Sequence, residues 1–114
     1  MVNTRNSCTF EGNLGSNPEV HTGQKNSFTT VSIATPRLTA NGELSGRTDW
    51  VRMKWWNGEG EQVAENFHVG DRVRVVAAEY NHDQVKGDDG IVRYFHTFVG
   101  GEIILLSRNG EQTT

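Results

Sequence analysis

The segment DWVRMKWWNG, residues 49–58, holds all three tryptophans of the chain, with an arginine and a lysine between them. Successive side chains of a β-strand point to opposite faces. A strand here would place a wholly apolar set on one face: Val51, Met53 and Trp55. It would place alternating aromatic and basic side chains on the other: Trp50, Arg52, Lys54 and Trp56. The first face is predicted to line a core, and the second to face outward.

An outward row of this kind has the chemistry for binding single-stranded nucleic acid. An indole left in water forgoes the burial of about 150–250 Å² that a large aromatic side chain normally gains. It can instead stack on a base, which contributes ~1–3 kcal/mol per base and does not read the base edge. The cations between the indoles can meet phosphates, and this contribution depends on salt rather than on sequence. We therefore expect sequence-tolerant binding, and stacking alone does not distinguish DNA from RNA.

The same row is also compatible with a protein interface, where tryptophan and arginine are enriched. In that alternative the chain is a β-sandwich or an OB-like interaction module. Its Trp50–Trp56 face would be buried against a second sheet, a subunit or a partner, and Arg52 and Lys54 would pair with acidic groups. Quenching of tryptophan fluorescence by oligo-dT distinguishes the two functions.

Other basic and aromatic residues extend the predicted binding surface beyond this strand. They lie in or beside the loops and strands that would flank it: Arg37, Arg72, Arg74, Tyr80, Lys86 and Arg93. Arg72 and Arg74 share the outward face of one predicted strand. For each of the arginines, a solvated surface charge is an equally good interpretation.

The charge balance by itself does not favour a nucleic-acid binder. The net charge is −3, from 11 basic and 14 acidic residues, whereas a basic balance is typical of such proteins. A local basic groove can nevertheless bind phosphates on an acidic molecule. The four histidines lie in unrelated segments without ligand spacing, and neither GxxxxGK nor GxSxG occurs. We expect no catalytic residue, no metal and no cofactor.

The chain also lacks the signals of a membrane or secreted protein. No apolar stretch approaches the length of a transmembrane span, and the first residues do not resemble a signal peptide. The single cysteine, Cys8, is interpreted as a small buried hydrophobic residue in a reducing compartment.

Five strands and one short helix are predicted to position these residues. The strands are predicted at 7–14, 27–35, 48–56, 69–80 and 91–99, the last continuing at 102–107 after two glycines. Val63, Ala64 and Phe67 have helical spacing and predict a helix of about two turns. Two long polar loops are predicted at 36–47 and 81–90, with DDG as a hairpin turn.

The inward residues of the second and fourth strands follow from the same alternation. They are predicted to be Val31 and Ile33, and Val73, Val75 and Ala77. A single helix between strands three and four is the layout of an all-β, five-stranded OB-fold barrel. We expect residues 1–106 to form that domain and residues 107–114 to be a flexible C-terminal end.

These motifs in this order resemble the bacterial single-stranded DNA-binding protein family, over about residues 6–106. The matching pieces are GNLGSNPEV, SIATPR, the GE of the next loop, TDWVRMKWW, VAENFHVGDRVRV and DDGIVRY. The resemblance implies an OB-fold that binds single-stranded DNA in replication, recombination and repair. By position, it also implies that Trp50 and Trp56 are stacking residues and that Arg52 and Arg93 are basic groove residues.

The resemblance further implies a homotetramer, but the sequence departs from the family pattern at several places. Val51 stands where a histidine used in subunit packing is common, so a dimer remains an alternative. The loop after strand two offers Leu38 instead of tryptophan, and the loop after strand four offers Tyr80 or Val85. Fewer stacking residues predict weaker binding or a shorter site.

The C-terminal SRNGEQTT lacks the acidic tail with a hydrophobic tip that recruits repair and replication proteins in cellular members of the family. Either such a tail lies beyond this sequence, or the chain is a tail-less relative from a phage, plasmid or organelle. The resemblance otherwise implies a cytoplasmic, nucleoid-associated protein. An alternative within nucleic-acid binding is a primosome-type OB-fold accessory protein, which is dimeric and couples binding to helicase loading.

Overall fold

The computed structural model describes residues 5–109 and shows a fold of strands with one short helix. The elements are β1 (Cys8–Leu14), β2 (Glu19–Thr22), β3 (Ser27–Leu38), β4 (Leu44–Trp56), α1 (Asn57–Asn66), β5 (Arg72–Lys86), β6 (Val92–Val99) and β7 (Glu102–Ser107). The helix lies between the third and fourth of the predicted strands, which are β4 and β5. The fold is the predicted OB-fold.

The strands pair in a closed ring. β3 lies between β1 and β4, β6 joins β4 to β5, and β1 pairs with β5 to complete the circuit. Among the described strands, the β4–β6 pairing alone is parallel, at Met53 with Phe98 and Lys54 with Val99, and the other pairings are antiparallel. β2 lies outside the ring against β3, and β7 pairs with the first half of β5. A ring has few free edges, which is how small all-β folds limit strand-to-strand aggregation.

The interior of the ring is filled by the strand residues that point inward, together with Val63 of α1. These are Leu14, Val31, Ile33, Val51, Met53, Trp55, Val63, Val73, Val75 and Ala78. The alternation predicted for β4 is therefore confirmed. Trp55 is the largest of these side chains and is 1% exposed. Its burial is compatible with the indole nitrogen because Nε1 donates a hydrogen bond of 3.0 Å to the carbonyl oxygen of Gly101.

The prediction that Ala77 faces inward is wrong. Ala77 is exposed and has a positive φ of 62°, whereas Ala78 is fully buried. The reason is a β-bulge, because Cys8 pairs with Ala78 but Phe10 pairs with Val75, so β5 has one extra residue. Beyond the bulge the inward side of β5 changes from odd-numbered to even-numbered residues, which turns Tyr80 towards Phe98.

Both predicted long loops are much shorter in the structure. β3 continues to Leu38 and β4 already begins at Leu44, so the first connection is only 39–43. Most of the second predicted loop belongs to a β5–β6 hairpin. The turn of this hairpin is closed by a hydrogen bond of 2.9 Å from the backbone N–H of Gly87 to the carbonyl oxygen of Ile91. This agrees with the predicted DDG hairpin turn. The helix is also longer than predicted and starts at Asn57, whose φ of 50° ends β4.

The C-terminal end of the described chain is attached to the body of the fold. The buried Asp71 accepts hydrogen bonds from the backbone N–H of His68 and Asn109, at 2.9 and 3.1 Å, and from Arg108 at 3.2 Å. The predicted flexible end, 107–114, thus falls partly on bonded residues, and 110–114 lie outside the described residues. Within residues 5–109, no helix has both the length and the apolar character needed to cross a membrane.

Candidate nucleic-acid interface

The outward side chains of β4 form the alternating row that the sequence predicts, here called the β4 face: Trp50, Arg52, Lys54 and Trp56. Trp50 and Trp56 are 60% and 46% exposed. Arg52 is exposed and Lys54 is half-buried. The two indoles are six positions apart in the sequence, so at ~3.4 Å per residue they are about 20 Å apart along the strand.

Neighbouring strands extend the β4 face sideways. The pairing register places Phe28 of β3 beside Trp56, and His21 of β2 beside Phe28. Two residues further along each strand, on the same face, Thr30 lies beside Lys54 and Glu19 lies beside Thr30. The surface is therefore three strands wide at its Trp56 end, because β2 pairs with β3 there.

The rings at this end contact one another and a cation. The Phe28 and Trp56 rings meet edge to face with centroids 5.7 Å apart, and the His21 ring stacks on Phe28 at 4.8 Å. The ammonium of Lys54 lies 4.4 Å from the centroid of Phe28 and 4.5 Å from that of Trp56. Such cation–π contacts hold a flexible lysine in place. A positive charge is thus held beside a surface on which a base can stack.

The Trp50 end is shaped by two other contacts. The six-membered ring of Trp50 lies directly over Gly15, in space that a β-carbon on that residue would fill. Next to Trp50, Asp49 is bound by Arg37 through two hydrogen bonds, of 2.6 and 3.2 Å. The hydrogen bonds from Arg37 lower the pKa of Asp49 below its ordinary value. Arg37 therefore lies at the same end of β4 as Trp50, but with its charge already paired.

A groove of about 480 Å³ runs across the middle of the surface. Its polar lining comes from Ser16, Glu19, Thr30, Ser32, Arg52, Lys54 and Thr97, and Phe28 and His21 lie at one end. The hydroxyl groups of Thr30 and Ser32 point outward because their strand alternates with the buried Val31 and Ile33. This volume lies within the ~300–1,000 Å³ that is typical of small-ligand sites.

Arg72 and Arg74 lie further around the ring and are also paired. Both contact the carboxylate of Glu11 on β1, at 3.1 and 3.2 Å. Hydrogen bonds from Arg74 and then Arg72 lower the pKa of Glu11. At Arg72 and Arg74 the neighbours of β5 are β1 and β7, and in that direction β1 and β3 lie between these arginines and β4. Their predicted contact with nucleic acid therefore stays a prediction.

The remaining predicted residues lie on the β5–β6 hairpin. The hydroxyl of Tyr80 is 2.6 Å from Nδ1 of His96, near the ring of strands. Lys86 is exposed at the far end of β5. Arg93 pairs with Asp89 at 3.0 Å, and hydrogen bonds from Arg93 lower the pKa of Asp89. The structure therefore places Lys86 and Arg93 towards the hairpin tip, away from the β4 face.

The sequence of the chain matches one known protein family along most of its length. Residues 5–105 match the model of the single-strand binding protein family. The chain belongs to the single-strand binding protein family. The resemblance stated from the motifs is thereby confirmed over nearly all of the described residues.

Individual members of the family are identical to this chain at about one residue in three. A protein from Xanthomonas axonopodis pv. citri named single-stranded DNA-binding protein is 32% identical over 114 aligned positions, which cover 97% of this chain and 63% of that protein. A protein of the same name from Xanthomonas campestris pv. campestris is also 32% identical, with 97% and 66% covered. One from Xylella fastidiosa is 31% identical, with 93% and 66% covered. The chain thus spans less than two thirds of the length of these relatives.

The alternation of β4 alone does not reveal that β2 and β3 contribute to the surface. A signal for Phe28 is present in the sequence, because it is out of phase with the inward Val31 and Ile33 of the same strand. The role of Glu19 and His21 has no such signal, since all four residues of β2 are exposed and show no apolar alternation.

Proposed function

We propose that the protein binds single-stranded DNA along the β4 face, by base stacking on Trp50 and Trp56 and by phosphate contacts from Arg52 and Lys54. The observation that carries this proposal is the exposure of both indoles on one strand, with cations between them, in a member of this family. The relatives' name, single-stranded DNA-binding protein, supports the same ligand. Such a protein coats unwound strands and performs no chemistry on them.

The basic residues of the proposed binding surface fall into two groups, those already paired with a carboxylate and those without an ion pair. Within residues 5–109, Arg37, Arg72, Arg74 and Arg93 each have a carboxylate within 3.2 Å, whereas Arg52 and Lys54 have no ion pair. Because a phosphate need not displace a carboxylate from Arg52 or Lys54, these two residues supply the first phosphate contacts. Arg37, Arg72, Arg74, Tyr80, Lys86 and Arg93 extend the path of a longer strand.

We extend the proposal to protection of DNA in replication, recombination and repair, as a homo-oligomer in the cytoplasm. A tetramer is the leading assembly and a dimer the alternative. Val51 is buried in the core of the protomer, at 8% exposure, so in this fold its side chain packs inward. Light scattering of the purified protein measures the assembly directly.

Titration of tryptophan fluorescence with oligo-dT at low salt tests the function. Oligo-dT should quench the emission strongly, and added salt should weaken the binding because phosphate contacts release counterions. Trp50→Ala combined with Trp56→Ala should abolish the quenching while Trp55 still reports a folded core. Absence of quenching in the wild-type protein would refute the proposal and favour a protein interface. A parallel titration with oligo-U distinguishes DNA from RNA.

Replacement of the cations tests the phosphate contacts separately. For single strands, the slope of log affinity against log salt changes by about 0.7 for each phosphate that the protein no longer neutralises. Arg52→Ala should therefore make the slope shallower by about that amount, and Lys54→Ala should do the same. Unchanged slopes in both variants would exclude these residues from the phosphate path.

A further inference from the structure

An acidic residue lies within the basic and aromatic surface. Glu19 of β2 pairs with Thr30 of β3, which in turn pairs with Lys54 of β4, so the carboxylate belongs to the same row as a proposed phosphate contact. The Glu19 side chain is 73% exposed and lines the groove. A negative charge here opposes phosphate binding, so Glu19 is expected to contact a different part of the ligand.

The Glu19 carboxylate is open to a new hydrogen-bond donor. The ring of His21 lies beside it, but Nε2 of His21 is 3.7 Å from Oε2, too far for a hydrogen bond. Nε2 of His21 instead lies 3.3 Å from the hydroxyl of Thr30. Within residues 5–109, no side-chain or backbone donor bonds to the Glu19 carboxylate, unlike those of Glu11, Asp49, Asp71 and Asp89, which all accept hydrogen bonds.

The groove beside Glu19 has the dimensions and walls of a site for a flat polar ring. β2 and β4 are two strand spacings apart, which is about 10 Å. Glu19 therefore faces Lys54 across the groove, with the hydroxyls of Thr30 and Ser32 between the strands. The half-buried ring of Phe28 closes one end and supplies an apolar surface.

We propose that this groove holds one base of the bound strand, and that the Glu19 carboxylate accepts hydrogen bonds from N–H groups on the base edge. This inference rests on the proposed function, because the strand is brought to the groove by the β4 face. Guanine is the best fit, since its ring N–H and its exocyclic amino group are adjacent donors that match the two carboxylate oxygens. Cytosine and adenine present one amino group, as in the glutamate–cytosine contacts of DNA readers. Thymine presents one N–H between two carbonyl groups, which repel a carboxylate.

The expected consequence is a modest base preference added to sequence-tolerant binding. Stacking and phosphate contacts supply most of the affinity and are similar for all bases. A bidentate base-edge contact of modest strength gives about a tenfold preference for the matching base. The preference applies to one nucleotide of the bound strand.

Binding of end-labelled oligonucleotides, followed by fluorescence anisotropy, tests the inference. The probes are oligo-dT, the same oligonucleotide with one central dG, and the same oligonucleotide with inosine at that place, which lacks only the exocyclic amino group. The wild-type protein should bind the dG probe about tenfold more tightly than oligo-dT, and the inosine probe at an intermediate level. In Glu19→Gln the difference between the dG and dT probes should fall below about twofold. Glu102→Gln, which removes an exposed charge from β7, should keep the full preference.

The outcomes separate this inference from the proposed function. If Glu19→Gln raises the affinity for all three probes by one common factor, Glu19 only repels phosphates and the base-edge contact is refuted, while the single-strand binding stands. Equal affinity of the wild-type protein for all three probes would also refute the base-edge contact and leave the single-strand binding standing. If no probe binds at low salt, the proposed function fails, and this inference fails with it.

Discussion

The indole nitrogen of Trp55 donates a 3.0 Å hydrogen bond to the carbonyl oxygen of Gly101, in the turn between β6 and β7. Gly101 adopts a φ of 91° and lies against the backbone of β5, with its hypothetical β-carbon 2.8 Å from the carbonyl oxygen of Val76. The bond therefore ties β4 to a turn that only glycine fits. The adjacent Trp56 points the opposite way and makes its contacts on the surface, with Phe28 and Lys54.

Replacement of these adjacent tryptophans should separate stability from binding. Trp55→Ala should lower the free energy of unfolding by about 3–5 kcal/mol, because it removes a large core side chain and leaves a cavity. Trp56→Ala should lower it by less than about 1 kcal/mol, as is usual for surface substitutions. Urea denaturation followed by circular dichroism measures both. Equal losses in the two variants would contradict the assignment of one indole to the core and the other to the surface.

The same pair should behave in the reverse order in binding. Trp56→Ala should weaken oligo-dT binding by ~1–3 kcal/mol, the contribution of one stacked base. Trp55→Ala should change the affinity only in proportion to the fraction of unfolded protein, so its binding is measured well below its unfolding temperature. An unchanged affinity in Trp56→Ala would remove that residue from the binding surface.

Release of Arg37 from its partner should strengthen binding. In Asp49→Asn the guanidinium no longer has a charged partner 2.6 Å away and becomes available to a phosphate. The affinity for oligo-dT should rise, and the slope of log affinity against log salt should steepen by about 0.7. Glu43→Gln is the matched control, since it removes the same charge from the nearby exposed turn, where residues 5–109 provide no ion pair for it. If both variants behave alike, Arg37 does not reach the strand and only net charge matters.

A methyl group at Gly15 should disturb the Trp50 end of the surface. In Gly15→Ala the new β-carbon would occupy the space under the Trp50 ring, so the ring must move. Oligo-dT binding should weaken by up to ~1–3 kcal/mol, the contribution of one stacked base. Gly58→Ala is the control, because its β-carbon would meet no atom of the described residues within 4 Å. It should leave binding unchanged and stabilise α1 by up to about 1 kcal/mol. Normal binding by Gly15→Ala would mean that the position of the Trp50 ring is not critical.

The buried Asp71 should make the fold sensitive to acid. Burial alone would raise its pKa, but the backbone N–H groups of His68 and Asn109, together with Arg108, outweigh that effect and lower it. A lowered pKa in the folded state means that the stabilisation is fully present above the ordinary aspartate pKa of about 3.9. The stabilisation is lost as the pH falls from there through the lower folded value. Thermal unfolding between neutral pH and about pH 2 should show this loss.

Substitution of Asp71 identifies the group responsible. Asp71→Asn should cost about 1.5–3 kcal/mol at pH 7, because it removes hydrogen bonds to a charged acceptor, and should flatten the acid limb of the profile. Asp88→Asn, in the exposed hairpin turn, should leave the stability at pH 7 within about 0.5 kcal/mol of wild type. An unchanged acid limb in Asp71→Asn would show that other carboxylates cause the acid sensitivity.

Features that depend on local alternation could be predicted from the sequence. The sorting of β4 into Val51, Met53 and Trp55 against an outward row is confirmed because a half-buried strand must repeat every two residues. The helix and the DDG turn likewise follow from local patterns. The lengths of β3 and β4 could not be predicted in this way. Their ends, around Leu38 and Leu44, are exposed on both faces, so main-chain pairing between the strands extends them without an apolar pattern.

The sequence by itself determined that one strand carries an aromatic and basic row opposite a core face, and that the chain folds as an OB-fold of a recognisable family. Only the tertiary structure decided what lies beside that row. Pairing of β2 with β3 places His21 and Glu19 there, and pairing of β1 with β5 joins Glu11 to Arg72 across 61 positions of the chain. These contacts depend on ring closure and strand register. The residues next to a given position in the sequence do not show which strand will pair with it, about 4.8 Å away.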